Sequence, residues 1–240
     1  MSKRPLHRGV APEDGELYDP RHLPALRAAQ SDLCWLLDHG YATTSAAELV
    51  GNRHQLTSRQ RMAVIRCACS AELLQRRRAH QLEPAQVRGE ELWLDGFNIL
   101  LAIEVALSGG VVLLGRDGCY RDVAGIHAHY RKVAETHPAL ELIGDLTTAL
   151  GVCHCCWHLD KPVSNSGRLR GIILDVAQKH GWPWSVELDF NPDKTLAESE
   201  HVISTADSAI LDRCARWVNL VAMVIQQHAP QARVVDLSQV

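Results

Sequence analysis

From about residue 90 the chain alternates between short apolar runs and stretches with helical spacing, and this alternation limits the folds it can adopt. The apolar runs are rich in β-branched residues, which is typical of buried strands. Strands that alternate with helices favour a parallel sheet, because each crossover needs a helix to return the chain. We therefore predict an α/β domain whose mostly parallel sheet is covered by helices on both faces, which makes three layers.

The predicted elements of this region follow from the spacing of its apolar residues. The predicted strands are 92–94, 111–114, 152–159, 185–188, 201–204 and 218–224. The predicted helices are 98–107, 121–135, 138–150, 166–180 and 208–214. The last strand is ambiguous, because residues 218–227 fit the period of a helix as well as that of a strand.

The first part of the chain is predicted to be a small helical domain. We place a loose arm at residues 1–20, the helical domain at 21–88 and the α/β domain at 89–240. The arm is rich in Pro, Gly and charge. Asp19-Pro20 favours a helix start, and later helices are predicted to end near Gly40, near Val50 and, for a long helix from Thr57 or Ser58, near Arg78.

Composition and charge limit the possible partners. No apolar run reaches the roughly 18 residues that span a bilayer, and the first residues lack the apolar stretch of a signal peptide. We therefore expect a cytoplasmic protein with reduced cysteines and no membrane partner. Residues 1–88 carry 13 Lys and Arg against 9 Asp and Glu, and residues 89–240 carry 12 against 19. This imbalance is consistent with a basic surface that binds nucleic acid next to an acidic metal site. Solvated helix faces explain it equally well.

Three predicted strands are each followed by an acid, namely Asp95, Asp160 and Asp207. The carboxyl ends of parallel strands meet at one edge of a sheet, so these side chains are expected to converge. Carboxylates gathered in this way suit Mg²⁺ or Mn²⁺, which bind hard oxygen ligands and can activate water against a phosphodiester. Each Asp taken alone is also consistent with a helix cap or a turn.

A second group of polar residues follows Asp160. The loop Ser164-Asn165-Ser166-Gly167-Arg168 precedes a predicted helix and offers hydroxyls, backbone N–H groups and a guanidinium to a phosphate. The alternative is that Ser164 or Ser166 only caps the helix.

A third group follows the strand at 111–114. Asp117 is a further candidate for the acidic edge, Arg121 for a contact with substrate, and Asp122 and Ser208 are secondary candidates. The alternative for Asp117 is an Asp-Gly turn that caps the next helix. Glu104 lies within an apolar helix and is interpreted as a carboxylate that faces solvent.

The cysteines and the missing motifs exclude several kinds of site. Cys153-His-Cys-Cys156-Trp-His158 invites a zinc interpretation, but a structural zinc site needs a second pair of ligands, and only Cys67 with Cys69 is clustered elsewhere. Buried cysteines in a core strand are therefore favoured, and zinc is not expected. The chain has no phosphate-binding G-x-x-x-x-G-K-[ST], no dinucleotide-binding G-x-G-x-x-G and no G-x-S-x-G nucleophile elbow.

The acidic positions form a pattern that resembles the PIN and NYN group of metal-dependent ribonucleases. Its elements are Asp95-Gly-Phe-Asn98, the middle acid Asp193, and Ser204-Thr-Ala-Asp207-Ser208, within residues 90–225. The resemblance implies a PIN- or NYN-like three-layer fold that cleaves RNA with Mg²⁺ or Mn²⁺. It also implies roles for the catalytic residues Asp95, Asn98, Asp193 and Asp207, with Asp160 as a fourth metal ligand. The segment from Asp160 to Arg168 is not part of that pattern, which leaves a member that binds without cleaving open.

The whole chain is also similar to a prokaryotic family of unknown function, the domain of unknown function 434 with its companion C-terminal domain. The matching stretches are Gly40-Tyr41, Glu48-Leu-Val-Gly-Asn-Arg53, Leu56 with Arg59-Gln-Arg61, Asp95-Gly-Phe-Asn98, Asp117-Gly with Arg121-Asp122, and Asp160-Lys-Pro-Val-Ser-Asn-Ser-Gly167. This resemblance implies no activity.

Two hypotheses of different classes follow. The first is a metal-dependent ribonuclease, in which Asn98 orients a water or the substrate and Ser164, Asn165, Ser166 and Arg168 hold phosphate. The second is a non-catalytic module that binds a nucleotide or RNA at the same edge. A third hypothesis, a structural protein stabilised by zinc, depends on the cysteine segment alone.

Overall fold

The N-terminal part of the fold is helical, as predicted. The computed structural model describes residues 6–8, 11–123 and 130–239. Its first helices are α1 (Asp14–Leu17), α2 (Leu23–Asp38), α3 (Thr43–Arg53), α4 (Ser58–Cys67) and α5 (Ala71–His80). The Asp19 side chain accepts a hydrogen bond from the N–H of Arg21 and caps a short 3-10 helix that leads into α2. The predicted helix start at Asp19-Pro20 is therefore confirmed.

The long helix predicted from residue 57 to about residue 78 is wrong, because the structure divides it into α4 and α5. Thr57 and Gln60 form a capping box at the start of α4, and the Ser70 hydroxyl accepts from the Leu73 N–H to start α5. Between the two helices, the carbonyls of Cys67 and Cys69 accept hydrogen bonds from Arg116. A residue distant in sequence thus satisfies the polar backbone that the break exposes.

The arm predicted to be loose is bound to the rest of the chain where the structure describes it. Asp14 is buried and accepts from Arg59 Nε at 2.6 Å. Glu104, interpreted above as facing solvent, is fully buried and accepts from Arg8 Nε at 2.8 Å. Tyr130 and Thr136 also donate to Glu104, at 2.7 and 2.6 Å. Both expectations are wrong, because Arg8 of the arm pairs with the buried Glu104 and the buried Asp14 of the arm pairs with the half-buried Arg59.

A parallel sheet forms the centre of the second part of the chain. Its strands are β1 (Glu91–Asp95), β4 (His154–Asp160), β5 (Trp184–Asp189) and β6 (Val202–Ser204), in the order β5-β4-β1-β6. All three pairings are parallel, as predicted, and place Asp95 opposite His158 and Asp160 opposite Asp189. We call the edge where these strands end the carboxyl edge.

A second, smaller sheet contains β2 (Val111–Leu114), β3 (Tyr120–Asp122) and β7 (Arg233–Asp236). Its order is β3-β2-β7, with β3 antiparallel and β7 parallel to β2. The helix predicted at 121–135 is therefore wrong wherever the structure describes it, since Arg121 and Asp122 belong to β3 and residues 130–135 are not helical, while residues 124–129 lie outside the described ranges. Neither β3 nor β7 was predicted, because neither is a clear apolar run: β3 contains Arg121 and Asp122, and β7 has only two valines between Arg233 and Asp236.

The remaining helices connect and cover the two sheets. They are α6 (Gly96–Leu107), α7 (Thr136–Leu150), α8 (Ser166–His180), α9 (Pro192–Ala197), α10 (Ser208–Leu211) and α11 (Leu220–His228). The ambiguous segment at 218–227 is resolved as helix: Asn219 accepts from the Ala222 N–H and caps α11. The strand predicted at 218–224 is therefore wrong.

Packing joins the helical part to the second sheet. Buried residues of α2, α3 and α4 share one core with Val111, Leu113 and Val235. α6 packs against strands of both sheets, α8 contacts β4, and the short α9 contacts β1 and β4. The polar side chains Glu91, His154 and Glu187 remain partly or fully exposed on the parallel sheet. Among the described residues, no helix is both long and apolar enough to cross a membrane.

Candidate acidic site at the carboxyl edge

Asp95 is the buried centre of the carboxyl edge. It ends β1 and is only 3% exposed. Its Oδ2 accepts hydrogen bonds from Asn98 Nδ2 at 2.7 Å and from the Thr205 hydroxyl at 2.6 Å. No described residue donates to its Oδ1. Two neutral donors therefore fix the carboxylate and leave one oxygen available to a ligand.

The turn that follows Asp95 depends on a glycine. A Cβ on Gly96 would lie 2.5 Å from Leu159 Cδ2 and 3.0 Å from the His158 carbonyl oxygen. Only glycine lets the start of α6 approach β4 this closely. The Asp-Gly-x-Asn motif thus has a steric basis in addition to the hydrogen bond from Asn98 to Asp95.

Asp207 lies after β6 and caps α10. Its Oδ1 accepts from the N–H groups of Ala209 and Ile210, at 2.7 and 3.2 Å. Its own N–H donates to the Thr205 hydroxyl oxygen at 2.9 Å. Thr205 therefore joins the loop of Asp207 to the carboxylate of Asp95, a role that the sequence pattern did not indicate.

The pKa values connect the four predicted acids into one electrostatic cluster. Burial, with further contributions from the charges of Asp207 and Asp193, raises the pKa of Asp95 to about 7, although the donors Thr205 and Asn98 oppose the shift. Burial and the charge of Asp207 raise the pKa of Asp193. Burial and the charges of Asp193 and Asp189 raise the pKa of Asp160. These acids therefore influence one another electrostatically, and their convergence on one metal ion stays a prediction.

The four acids do not form a complete set of ligands for a metal ion. Within residues 6–8, 11–123 and 130–239, no three His, Cys, Asp or Glu side chains are arranged to hold a metal ion. None of Asp95, Asp160, Asp193 and Asp207 forms an ion pair with a described Lys or Arg. The cluster therefore consists of carboxylates that form no ion pair with a described Lys or Arg, but it has no set of three preformed direct ligands.

In the loop after Asp160, neither Ser164 nor Ser166 caps the helix α8. Asn165, in a left-handed conformation with φ 71°, precedes α8, and its Nδ2 donates to the Tyr130 carbonyl at 2.8 Å. The buried Ser166 hydroxyl lies 3.4 Å from the Lys161 carbonyl, within the loop itself. Asn165 lies at the cap position of α8, and its side chain accepts no hydrogen bond from the first N–H groups of the helix. The alternative of a serine cap is therefore wrong. Ser164 and Arg168 are exposed.

Asp117 and Arg121 form a separate, neutralised cluster. Arg121 donates to both carboxylate oxygens of Asp117, at 2.9 and 2.6 Å, and Arg77 donates to Oδ2. Burial alone would raise the pKa of Asp117, but the two guanidinium groups outweigh it and hold the pKa well below its usual range. Asp117 therefore pairs with arginines and forms a turn that leads into β3, a strand rather than the predicted helix.

Arg121 also holds the loop of Asp207 from behind. Its Nε donates to the Ala206 carbonyl at 2.7 Å, and its Nη2 lies 3.4 Å from the Ser208 hydroxyl. Asp122 accepts from Arg66 of α4 at 3.1 Å. These secondary candidates thus position the loop and attach the helical part to the second sheet.

His158 and Asp189 are neighbours of the acidic cluster that the sequence pattern did not bring out. His158 Nδ1 lies 2.7 Å from Asp189 Oδ2, and its buried Nε2 has no partner among the described residues. Its ring lies 4.5 Å from that of Trp93. The signal was available in part, because His158 precedes Asp160 by two residues and therefore shares its face of the strand.

The cysteines of residues 153–156 are divided between surface and interior. Cys155 and Cys156 are buried, and Cys153 is exposed. Burial raises the pKa of the Cys155 thiol to about 12. At neutral pH this thiol therefore stays protonated, unlike the thiolate that binds metal.

Comparisons with known proteins assign the two parts of the chain to families without an assigned activity. Residues 84–223 match the family described as "Domain of unknown function (DUF5616)", and residues 25–80 match the family described as "Protein of unknown function (DUF434)". A similar protein from Methanocaldococcus jannaschii, described as "Uncharacterized protein MJ0935", is 25% identical over 204 residues, which cover 84% of this chain and 97% of the relative. No solved structure matches the chain.

Proposed function

The chain belongs to the DUF5616 family, and from the carboxyl edge we propose that it is a metal-dependent phosphodiesterase that cleaves RNA. The observation that carries the proposal is the group of four acids, none of which forms an ion pair with a described Lys or Arg. Burial and the charges of Asp207 and Asp193 raise the pKa of Asp95 to about 7, so the folded chain holds this carboxylate at a free-energy penalty. A bound divalent cation would remove the penalty.

The donor set fits Mg²⁺ or Mn²⁺, since every candidate ligand is a carboxylate oxygen. Mg²⁺ usually keeps several waters and binds one or two carboxylates directly, so an edge without three preformed ligands is consistent with this ion. When bound, such an ion supplies an activated water and neutralises charge on a phosphodiester. Asp95 and Asp207 would hold such an ion, together with Asp193 and Asp160.

The other residues of the edge position these ligands. Asn98 and Thr205 hold the carboxylate of Asp95, so we assign to Asn98 a positioning role rather than contact with substrate. Asp207 lines a cleft of about 330 Å³ between α4 and its own loop, together with Met62 and Arg66. A substrate strand that enters this cleft would pass the acids. We propose that Arg168 contacts a phosphate at the opposite side of the edge, beside the wall that Asn165 forms.

The proposed fold assignment is PIN- or NYN-like, as the acidic pattern suggests. The parallel order β5-β4-β1-β6 and the placement of Asp95 at the end of a central strand support it. RNA is proposed as the substrate because of the resemblance to ribonucleases and because the edge suits a phosphodiester.

The test combines metal binding with RNA cleavage in Asp95→Asn. We expect calorimetry to detect Mn²⁺ binding to the unaltered chain, and the variant to lose it. We also expect the variant's cleavage of single-stranded RNA to fall at least about a hundredfold, since the removed charge acts on the reacting centre. Asp175→Asn, which removes an exposed carboxylate from α8, is the matched control and should change neither result. Undiminished cleavage by a folded Asp95→Asn variant would contradict the assignment as a metal-dependent phosphodiesterase.

A non-catalytic module that binds a nucleotide or RNA is the second candidate. The observation that favours it is the absence of three preformed metal ligands among the described residues. In that case the chain would bind RNA, but no cleavage of the bound RNA would appear with Mg²⁺ or Mn²⁺. Metal-dependent cleavage that Asp95→Asn removes would exclude the module.

A further inference from the structure

A basic cleft lies beside the first turn of α8. It has a volume of about 400 Å³, and its polar walls are Arg131, Lys132, Asn165 and Arg168. Tyr130 and Ile172 contribute apolar surface, and none of its described lining residues is acidic. Three cations around one space form a site for an anion.

The cations of this cleft are available to a ligand. Within the described ranges, the side chains of Arg131, Lys132 and Arg168 form no ion pair or hydrogen bond. By contrast, the arginines of the helical part are mostly engaged: Arg59 with Asp14 and Arg77 with Asp117. Unpaired guanidinium and ammonium groups that face a common space favour a phosphate, which accepts several charge-assisted hydrogen bonds.

Hydrogen bonds to backbone carbonyls hold the walls of the cleft together. The Tyr130 N–H donates to the Ser164 carbonyl at 3.1 Å, and Asn165 Nδ2 donates back to the Tyr130 carbonyl at 2.8 Å. Arg8 Nη2 donates to the Arg131 carbonyl at 2.8 Å. The segment that carries Arg131 and Lys132 is therefore fixed against the segment that carries Arg168.

Backbone donors at the start of α8 add to the positive side chains. The N–H groups of Gly167 and Arg168 have no backbone acceptor among the described residues, and a Cβ on Gly167 would meet no atom within 4 Å. Free N–H groups at the start of a long helix favour an anion, and here they adjoin a cleft with three cations.

The cleft adjoins the acidic edge. The turn from Asp160 to α8 is tight, with the Val163 N–H donating to the Asp160 carbonyl and the Ser166 N–H to the Val163 carbonyl, both at 3.1 Å. On the other side, the Tyr130 ring lies 5.6 Å from the ring of Phe97, two residues after Asp95. A chain of phosphates that crosses the acids would reach the cleft within a few nucleotides.

We infer that this cleft binds a backbone phosphate of single-stranded RNA away from the bond that is cleaved. The substrate is then a strand of several nucleotides and not a mononucleotide. Arg131, Lys132 and Arg168 bind the phosphate oxygens, and Asn165 shapes the wall between them. The inference rests on the proposed function for the identity of the strand, but binding at the cleft is measurable without cleavage.

The experiment measures binding of the full chain to a labelled single-stranded RNA of about a dozen nucleotides, in EDTA, by fluorescence anisotropy. Arg168→Gln is expected to weaken binding about tenfold, as for the removal of a charged hydrogen-bond partner. The slope of log affinity against log salt should become shallower by about 0.7 for each phosphate that the variant no longer neutralises. The triple variant that combines Arg131→Gln, Lys132→Gln and Arg168→Gln should lose more affinity than Arg168→Gln alone.

The matched control is Arg170→Gln, an exposed arginine of the same helix that does not line the cleft. It should leave affinity and salt slope unchanged. The inference is overturned if the unaltered chain does not bind the RNA, if the cleft variants bind like it, or if Arg170→Gln weakens binding as much as Arg168→Gln. If binding depends on the cleft but no cleavage occurs with Mg²⁺ or Mn²⁺, the proposed function fails and the inference stands.

Discussion

Asp95 and Asp117 are both buried, yet their surroundings are opposite. Arg77 and Arg121 bond Asp117 from two elements, whereas Asp95 receives only the neutral amide of Asn98 and the hydroxyl of Thr205. Burial would raise the pKa of both carboxyls. It does so for Asp95, whose pKa is raised to about 7, while the arginines reverse the effect for Asp117.

The difference separates a structural ion pair from a site that needs a ligand. A buried carboxylate with matched guanidinium partners stabilises the arrangement in which it is found, provided that both partners stay. A buried carboxylate beside other carboxylates opposes folding in its charged form. Asp117 therefore serves the loop that carries Asp207, and Asp95 is the residue at which an added cation would have the larger effect.

Removal of the Asp117 charge is expected to have the largest effect on stability. Asp117→Asn leaves the buried guanidinium groups of Arg77 and Arg121 without their shared carboxylate. We expect the free energy of unfolding to fall by about 3–5 kcal/mol, as for other buried pairs from which one partner is removed. Urea denaturation at pH 7 measures the change, with Asp95→Asn as the comparison. A smaller decrease for Asp117→Asn than for Asp95→Asn would break the contrast between the two sites.

The two aspartates are also expected to give stability opposite dependence on pH. The folded pKa of Asp95 is about 7 and its ordinary value is 3.8, so the folded state binds more protons between these values. Stability therefore falls as pH rises from about 4 to about 7, by up to a few kcal/mol from this group alone. The pKa of Asp117 is lowered instead, so its contribution is present above its ordinary pKa and is lost as pH falls below it.

Asp95→Asn isolates this contribution. We expect the difference in unfolding free energy between the unaltered chain and Asp95→Asn to change between pH 4 and pH 7, in favour of the variant as pH rises. Urea denaturation at several pH values, without divalent metal, measures it. Asp175→Asn should follow the unaltered chain throughout. A difference that stays constant with pH would show that Asp95 titrates as an ordinary carboxyl.

The comparison also explains which parts of the site were predictable. Asp95 and Asp160 could be found because a parallel sheet brings the ends of its strands to one edge, and local pattern is enough to identify those ends. The partners could not be found in this way. Thr205 meets Asp95 from 110 positions along the chain, and Arg77 meets Asp117 from 40. Such interactions depend on tertiary packing rather than on any periodicity.

The same distinction holds for the fold. The parallel strands β1, β4, β5 and β6 were predicted because each has a clear apolar run next to a helical segment. The short strands β3 and β7 were missed, and the helix α11 was ambiguous, since Val218 to Gln227 fits two periods. Arg77 lies in the helix that was predicted to run from residue 57 or 58 to about residue 78, and only its packing against Asp117 and Asp212 shows that it is buried.

Thr205→Val tests whether the neutral hydrogen-bond donors of Asp95 influence its pKa, as the arginines influence the pKa of Asp117. The substitution keeps the shape of the side chain but removes the 2.6 Å hydrogen bond to Asp95 and the acceptor of the Asp207 N–H. We expect a decrease of about 1–2 kcal/mol in unfolding free energy. The pKa of Asp95 should also rise further, because the donor favours its charged form. NMR titration of the Asp95 carboxyl measures the shift, and Ser204→Ala, which removes a neighbouring buried hydroxyl without a described partner, should leave it unchanged. An unaltered pKa in Thr205→Val would mean that burial and the other acids alone determine the charge of Asp95.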